Sequence, residues 1–405
     1  MMRHILFYLL TLLPLTSFAT NVETTRTWYL AGEAMLISVT DDDAIIAYAE
    51  LCDQQGLAAG VAVCLHEGHG TGVLELPSHL HSGYYVLSVY TRHNTQVSQK
   101  LIAVVNPLRK SKDDDIQWLL NDSLSYPSIA EGDGFSLANL VSKKSADVRE
   151  IEGHIIKARV KNSHEGQTFS GSQIRPFLSI IGQQIHYFEG QMVNDSLAIF
   201  YTFGIQGKQP LVLSAMSSTG VSLPIEIISP FATLLPKQLP HLVFHYNRSE
   251  VESRSLEMQR HQKTMSQPKP LAYSETAYGT KPDLSYNLDE YRQFLTIREV
   301  LLEYVSCVKR TTIDNVPQLI VRKEQEVYNN SIPTLTLIDG MPVYNVERLL
   351  SYDARRVHYI NIYAGQYTFG NSLYNGILSF VTRSGQLTNY PTEPGMQYLV
   401  YDFPE

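Results

Sequence analysis

The sequence predicts a mainly β, multidomain chain in which two β-sandwich domains are followed by a small α+β domain. From Thr27 to Ala232, short runs rich in Val, Ile, Tyr and Thr alternate with Gly, Pro, Asn and Asp, which is the spacing of sandwich strands. The 25 tyrosines far outnumber the 2 tryptophans, and tyrosine suits pleated surfaces. The clearest helical period follows Asn287. The 405 residues are enough for roughly two to four domains.

Composition and charge exclude several functional classes. Hydrophobic residues make up 44% of the chain and charged residues 18%, so it can bury real cores. The formal net charge is −8 and no long basic run occurs, which excludes a nucleic-acid partner because phosphate binding needs a concentrated basic face. The sequence contains no GxSxG elbow, phosphate-binding loop or GxGxxG motif. We therefore predict no catalytic residues and no cofactor.

Residues 1–19 have the three parts of a signal peptide. A cationic start at Arg3 precedes an apolar stretch from Ile5 to Leu15, and the small residues Ser17 and Ala19 occupy the −3 and −1 positions. We predict cleavage after Ala19 and export. The alternative, a membrane anchor, needs roughly 20 apolar residues, and neither this stretch nor any later one has them.

Residues 20–106 form the first predicted sandwich. Acidic and glycine-marked turns separate its strand-like runs. This segment resembles the macroglobulin-type, Ig-like domains of bacterial surface proteins, which implies an Ig-like sandwich. The matching residues are Tyr29-Leu30-x-Gly32-Glu33, Leu76-Pro77, Ser82-Gly83-Tyr84-Tyr85 and Tyr90-Thr91.

Residues 145–235 form the second predicted sandwich, after a turn-rich linker at 107–144. Its runs GHIIKARV, RPFLSIIG, LAIFYTF and QPLVLSAM resemble the carboxypeptidase-regulatory-type modules that precede many outer-membrane receptors. Asn194-Asp195-Ser196 stands where that family usually has an Asp-x-Gly turn. Residues 236–286 are polar and show no clear apolar face, which predicts a second linker or a partner-contacting arm.

Residues 287–386 are predicted to form a small α+β domain, and residues 387–405 are predicted to form a C-terminal tail. A helix is expected from Asn287, as a cap with Glu290, to Cys307, and a shorter one after Asn345. Asp339-Gly340, between two apolar runs, predicts a tight type I′ hairpin. The apolar sheet face that both helices should cover is predicted to consist of Ile360, Ile362, Ile377 and Leu378.

This last domain resembles the plug domain of TonB-dependent outer-membrane receptors. Asn361 replaces the acidic residue usual in the Ile-x-Ile strand of that family. A receptor barrel of about 22 strands needs over roughly 200 residues, so we expect a plug-like domain without its barrel. The matching residues are Glu299-Val300-Leu301-x-Glu303-Tyr304-Val305, Pro333-x-Leu335, Leu337-Ile338-Asp339-Gly340-x-Pro342-Val343, Leu349-Leu350, Asp353, Val357, Ile360-x-Ile362, Gly365-x-Tyr367-x-x-Gly370 and Asn375-Gly376-Ile377-Leu378-x-Phe380-x-Thr382-Arg383-x-Gly385.

The plug-motif residues are expected to act as scaffold. Gly365, Gly370 and Gly376 should allow sharp bends or close backbone approach, and Asp339 and Gly340 should form the hairpin turn. A plug is recognised by the residues that fold it, so these positions are predicted to shape the domain and not to touch a ligand.

Histidine and aspartate clusters supply the alternative chemistry. His66, His69, His79 and His81 could ligate a transition metal, but His-Glu-Gly-His falls short of HExxH and its glycine indicates a turn. His79 and His81 are expected on one face of a strand. Exposed loop and strand histidines are the simpler interpretation, and the runs at 41–43 and 113–115 fit solvated turns better than calcium loops.

The three cysteines leave at least one thiol unpaired. Cys52 and Cys64 lie on strands expected to be adjacent, where they could form a disulfide after export or remain as small buried side chains. Cys307 is predicted to be buried and not nucleophilic.

Together the resemblances imply a Bacteroidetes-type exported protein of the Gram-negative envelope, periplasmic or associated with the outer membrane. The expected function is non-enzymatic binding of a protein partner in the envelope, such as an outer-membrane β-barrel, through the plug-like domain. Two alternatives stay open: a metal-dependent protein or enzyme using the histidines, and a structural remnant of a receptor-like family.

Overall fold

The structure is a computed structural model that describes residues 20–136, 140, 143–181, 186–265, 280–313, 316–322, 332–369, 372–384 and 395–405. The predicted signal peptide and Gly370 lie outside these residues. The chain divides into two compact units. The first consists of residues 1–151 and 233–255, and the second of residues 152–232 and 256–405.

The first unit contains a two-sheet sandwich. One sheet has the order β1-β3-β6 and the other the order β2-β8-β7-β4-β5, with every pairing antiparallel except β2 with β8. Alternation in β3 sends Met35, Ile37 and Val39 into the core. The strands are β1 (Asn21–Thr24), β2 (Trp28–Leu30), β3 (Ala34–Thr40), β4 (Ile46–Cys52), β5 (Leu57–Cys64), β6 (His69–Glu75), β7 (Gly83–Tyr90) and β8 (Ser98–Val105).

A third sheet in this unit arises from the segments predicted as linkers. Strands β9 (Ile116–Leu120) and β10 (Tyr126–Ile129) flank β21 (Leu242–Tyr246), and β9 runs parallel to β21. The pairing explains why the linker predictions were wrong here. Each strand is short, and its partner lies more than 100 residues away, so no local pattern marks it.

Helix α1 (Arg248–Met265) follows β21 and also lies in a predicted linker. Asn247 begins it, since its side-chain oxygen accepts a hydrogen bond from the Glu250 N–H at 3.1 Å. Arg254 pairs with Glu33 at 2.5 Å, and its guanidinium lies 3.7 Å from the Trp28 ring centroid. These contacts hold the first turns of α1 on the sandwich, although the helix has no clear apolar face.

The second unit contains another sandwich. One sheet has the order β16-β17-β11-β20, and the other the order β15-β14-β18-β19 with β29 also on β18. The predicted tail therefore contains a strand of this sheet. The strands are β11 (His154–Val160), β12 (Ser163–His164), β13 (Gln167–Thr168), β14 (Ile174–Ile180), β15 (His186–Glu189), β16 (Gln191–Met192), β17 (Leu197–Thr202), β18 (Gly207–Ser217), β19 (Ser222–Leu223), β20 (Ile225–Ile228) and β29 (Gln397–Phe403).

The small α+β domain completes the second unit. Its sheet has the order β22-β27-β28-β25-β26, and β23 and β24 form a separate hairpin. Helices α2 (Ile297–Glu303) and α3 (Val346–Leu350) contribute to the core on one face of the sheet. The strands are β22 (Leu284–Asn287), β23 (Val308–Ile313), β24 (Val316–Val321), β25 (Leu335–Ile338), β26 (Met341–Pro342), β27 (Val357–Phe369) and β28 (Ser372–Thr382).

The two faces of this sheet have different neighbours. Ile360, Ile362 and Leu378 belong to the core that includes the helices, as predicted. Ile377 was assigned to the same face incorrectly, because it is adjacent to Leu378 on β28 and neighbouring strand residues point to opposite faces. Ile377 instead packs with Phe177 and Tyr187 of the second sandwich. The α+β domain is thus docked onto that sandwich.

The long helix predicted from Asn287 was wrong in its bounds. Asn287 caps only a single 3₁₀ turn (Leu288–Glu290), and α2 begins later, where Thr296 and Glu299 form a capping box. Leu295 and Leu302, both within the predicted long helix, are exposed. The later capping box therefore determines where the helix starts.

The prediction of a mainly β, multidomain fold is confirmed. All three cysteines are free thiols, so Cys52 and Cys64 form no disulfide. Cys52 is buried as predicted, whereas Cys64 and Cys307 are only partly buried, so burial was predicted incorrectly for these two. Cys64 pairs with Ile46 and Cys52 with Leu57, at opposite ends of the β4–β5 ladder. Among the described residues, no helix has the length and apolar character needed to cross a bilayer.

Candidate binding surfaces

His66 and His69 flank the β5–β6 turn, with His69 as the first residue of β6, and His79 and His81 lie in the loop before β7. His66 and His69 exchange backbone hydrogen bonds of 2.8 and 3.0 Å across the β5–β6 turn, and both side chains are exposed. His79 and His81 precede β7, so their prediction as strand residues was wrong: the chain turns after Pro77 before β7 starts. His81 contacts Tyr85, with 3.2 Å between its Nδ1 and the hydroxyl. Within the described ranges, no three His, Cys, Asp or Glu side chains are grouped to hold a metal ion.

The hairpin at Asp339 and Gly340 has the predicted geometry. Both residues have positive φ, 46° and 86°, and they connect β25 to β26. The Asp339 side chain is buried and accepts hydrogen bonds from the Thr382 N–H at 2.7 Å and the Thr382 hydroxyl at 2.5 Å. The motif aspartate thus joins the hairpin to β28, which is a folding role.

A bulge between β27 and β28 contains two of the predicted glycines. The ladder shifts between Tyr363 and Gln366, beside Gly365 and opposite Gly376. Gly376 has φ of +93°, and a Cβ there would lie 3.1 Å from the Tyr363 carbonyl oxygen. Gly365 shows neither constraint, since its nearest contact for a Cβ is 3.5 Å. Of the two, only Gly376 therefore requires glycine on these grounds.

The second unit has an aromatic cleft between its sandwich and its α+β sheet. Phe177, Tyr187, Tyr344 and Tyr374 line it, with Arg175 at one side. The Phe177 and Tyr187 rings stack with centroids 5.5 Å apart. The free volume is about 110 Å³, and one water needs roughly 10–15 Å³ on this measure, so the cleft has room for one side chain or a few waters.

The polar side chains around this cleft form hydrogen bonds with other groups of the protein. Arg175 donates to Glu189 at 3.1 Å and to the Ser372 hydroxyl at 2.5 Å. Tyr344 and Ser214 share a hydrogen bond of 2.7 Å between their hydroxyls. Burial raises the pKa of Tyr187 and of Tyr344 well above the ordinary value, so both phenols stay neutral. The cleft can hold a small apolar group, but it offers no ionised phenolate for catalysis.

The first unit exposes an apolar patch on its third sheet. Strand β9 forms one edge of the order β10-β21-β9. Trp118 and Leu119 are each 37% exposed, and Leu120 is 69% exposed. Leu124, in the connection after β9, and Tyr126 on β10, at the opposite edge of the sheet, are also exposed. We call Trp118, Leu119 and Leu120 the β9 patch. The run IQWLL lies within the segment predicted to be a linker, where the structure has a strand instead.

A buried polar network lies on the outer face of the first sandwich. The sequence did not predict this network. Glu50 is fully buried and accepts hydrogen bonds from the Tyr90 hydroxyl (2.9 Å), the Thr233 N–H (2.9 Å) and the Leu234 N–H (2.6 Å). The Tyr48 hydroxyl donates to Glu150 at 2.8 Å. Glu50 thereby fixes the segment that returns to this unit at Thr233.

The thiols in the first unit are unreactive. Burial, with the nearby Glu50 charge, raises the pKa of Cys52 to about 12. Burial also raises the pKa of Cys64. A nucleophilic cysteine requires the opposite shift, because the thiolate is the reacting form.

Comparisons with known proteins give weak similarities. No protein-family model matches the sequence, and no curated protein matches it. Among solved structures, the BSP domain of a biofilm-associated protein is 10% identical with a TM-score of 0.18, covering 56% of this chain and 30% of that one.

Two structures of Escherichia coli α2-macroglobulin are also similar. The elastase-activated form is 9% identical with a TM-score of 0.20, covering 54% of this chain and 20% of that chain. The native form is 11% identical with a TM-score of 0.20, covering 54% and 14%. The matched region is less than a third of any of these three chains, and TM-scores this low support no inference about function.

Proposed function

We propose that this chain is an exported, non-enzymatic protein of the cell envelope that binds a protein partner along the edge of strand β9. The observation that carries the proposal is the β9 patch, an apolar sheet edge exposed in the first unit. Exposed apolar edge strands invite pairing with another chain, and natural proteins usually protect them with charge, proline or cover. Strand β9 (IQWLL) contains no charged residue and no proline.

The chemistry of the patch indicates the kind of partner. A strand edge offers backbone hydrogen bonds to an extended segment, and side chains beside it select the residues of that segment. Trp118 packs edge-on against Phe244 and Tyr246, with ring centroids 5.5 Å apart in both cases. It is thereby held in place as a rigid aromatic anchor, a common type of binding hot spot. We infer that the partner supplies an extended, apolar strand.

The plug-like resemblance supports placement in the envelope. Its scaffold includes the Asp339 turn and the Gly376 bulge described above. One face of its sheet packs on the second sandwich, so an outer-membrane barrel or periplasmic protein would have to bind elsewhere on this domain.

Export is supported by the start of the first strand. Thr20, the residue after the predicted cleavage point, is buried, and its hydroxyl donates to Asp41 at 2.6 Å. Cleavage after Ala19 would leave β1 intact. We expect the exported protein to begin at Thr20, which intact-mass measurement of protein from the periplasmic and outer-membrane fractions tests.

The absence of enzymatic activity is part of the proposal. The raised thiol pKa values, the neutral tyrosines of the cleft and the scattered placement of the four histidines all support it. The alternative of metal chemistry gains no support from the described residues, where no ligand cluster occurs.

Site-specific photo-crosslinking tests the binding proposal. A photoreactive residue replaces Leu119 on β9 or, as the control, Leu36, which is 48% exposed on the central strand β3. We expect one dominant protein adduct in native envelopes from position 119 and none from position 36. Leu120→Lys should abolish the adduct, whereas Leu36→Lys should leave it unchanged. Equal adducts from both positions, or an adduct insensitive to Leu120→Lys, would contradict the proposal.

A further inference from the structure

Strand β29 belongs to the second sandwich although the α+β domain separates them in sequence. It pairs antiparallel with β18, in a register from Gly207 opposite Phe403 to Leu213 opposite Gln397. The remaining strands of this sheet and of its partner sheet lie between residues 154 and 228. The sandwich therefore takes a strand from far along the chain.

Alternation in β29 separates an inner and an outer set of side chains. Tyr401 and Phe403 are buried in the sandwich core, while Tyr398 and Val400 are 54% and 63% exposed. The Tyr401 hydroxyl also lies 2.7 Å from Nε2 of buried His154. The strand therefore fills two aromatic positions in the core, and it does so with side chains on one face only.

The segment entering β29 is recognised by the other sheet of the sandwich. The Ile227 N–H donates to the Gln397 side chain at 2.8 Å, and the Ile225 N–H donates to the Gly395 carbonyl at 3.3 Å. Gly395 has φ of +92°, and a Cβ there would lie 2.9 Å from the Pro224 nitrogen. The approach thus requires glycine at this position. Strand β20 and the edge of β18 together therefore select a segment that begins with Gly-x-Gln.

Charge adds to this selectivity. Lys208 lies directly opposite Asp402 in the β18–β29 register, and both are exposed. Opposite charges facing each other across an antiparallel pair favour that register. All the contacts that select the strand come from Gly395 to Phe403, and none depends on the covalent connection back to the α+β domain.

We propose that the edge of β18 is a strand-acceptor site that takes the segment Gly395–Phe403 from a second copy of this chain in place of its own. The residues between Ser384 and Gly395 number ten, and an extended chain spans up to about 3.3–3.6 Å per residue. Exchange of an identical strand preserves every contact, so it links two copies at low cost. The proposal is independent of the β9 patch, which lies in the other unit.

The test uses the full chain, so that the sandwich folds with its own strand in place. A site-specific protease sequence is inserted between residues 387 and 392, and the folded protein is cut there. A fluorescent peptide with the sequence of residues 395–405 is then added during a brief, mild urea pulse. We expect one peptide to be taken up per cut chain, measured by fluorescence anisotropy.

Peptide variants separate strand recognition from general stickiness. A peptide with Tyr401→Ala and Phe403→Ala should bind at least roughly a hundredfold more weakly, because two buried aromatic side chains are lost. The control, Tyr398→Ala with Val400→Ala, removes two side chains from the exposed face of the same strand and should bind within about threefold of the native peptide. No uptake, or equal uptake of all three peptides, would overturn the acceptor site.

The uncut chain tests exchange between copies. After the same urea pulse at high protein concentration, light scattering should show a dimer that excess native peptide dissociates. The double-alanine peptide should leave that dimer intact. An uncut chain that stays monomeric, or a dimer that both peptides or neither dissociates, would refute the second copy as the occupant.

Discussion

Replacing Glu50 by Gln should destabilise the first unit by about 3–5 kcal/mol. The carboxylate accepts three hydrogen bonds in a fully buried site, two of them from the backbone of Thr233 and Leu234. In either orientation, the amide nitrogen of Gln faces one of these two backbone N–H groups. Leaving that donor without an acceptor costs about 1–3 kcal/mol, and the other two bonds lose about 1 kcal/mol each without the charge.

The measurement is urea unfolding followed by tryptophan fluorescence. Both tryptophans of the chain, Trp28 and Trp118, lie in the first unit, so this signal reports its unfolding selectively. Glu23→Gln, at an exposed site on β1 of the same unit, is the matched control and should change stability by less than about 0.5 kcal/mol. If Glu50→Gln unfolds within about 0.5 kcal/mol of the unmodified protein, the network does not hold the returning segment as argued.

Three further predictions concern other parts of the chain. Gly376→Ala should destabilise the second unit by about 1–3 kcal/mol because its φ is positive, whereas Gly365→Ala should change it by less than about 0.5 kcal/mol; chemical denaturation followed by tyrosine circular dichroism distinguishes them, and equal effects would contradict the bulge geometry. Cys52 should react with a thiol reagent at pH 8 only after unfolding, since its pKa is raised to about 12; rapid labelling of the folded chain would disprove this. The Thr296 backbone N–H and, second to it, the Thr296 hydroxyl lower the pKa of Glu299, so its contribution to α2 is present above the ordinary glutamate pKa and lost as pH falls through the lowered value; Thr296→Val keeps the backbone bond, so carboxyl NMR titration should show only a partial rise of that pKa, and an unchanged titration would exclude the Thr296 hydroxyl as a contributor.

Local sequence signals predicted the turns and caps of the α+β domain well. Asp339-Gly340 forms the expected hairpin turn, and Asn345 caps α3 by accepting a hydrogen bond from the Arg348 N–H at 3.0 Å. Such features depend on three or four consecutive residues, so the chain specifies them without distant help. The prediction of a long helix after Asn287 was wrong because a second local signal, the capping box nine residues later, determines where α2 starts.

The candidate surfaces were less visible in the sequence. Trp118 and Leu120 stand in an obvious apolar run, but an apolar run usually predicts burial, and only the sheet order shows that β9 is an edge. In the sequence, Glu50 cannot be distinguished from an ordinary strand residue. Its burial depends on the segment at Thr233, which covers it only in the tertiary structure. The four histidines are close in sequence, yet their spacing alone could not separate turn positions from a strand face.

The sequence by itself determined the strand-rich class and the tight turn at Asp339-Gly340, because side-chain alternation and turn chemistry act over a few neighbouring residues. Only the tertiary structure decided that Gln397–Phe403 completes a sandwich begun at His154, and that β9 is left at a sheet edge. Strand pairing across such distances is selected by the core that the strands jointly bury. No stretch of neighbouring residues contains that information.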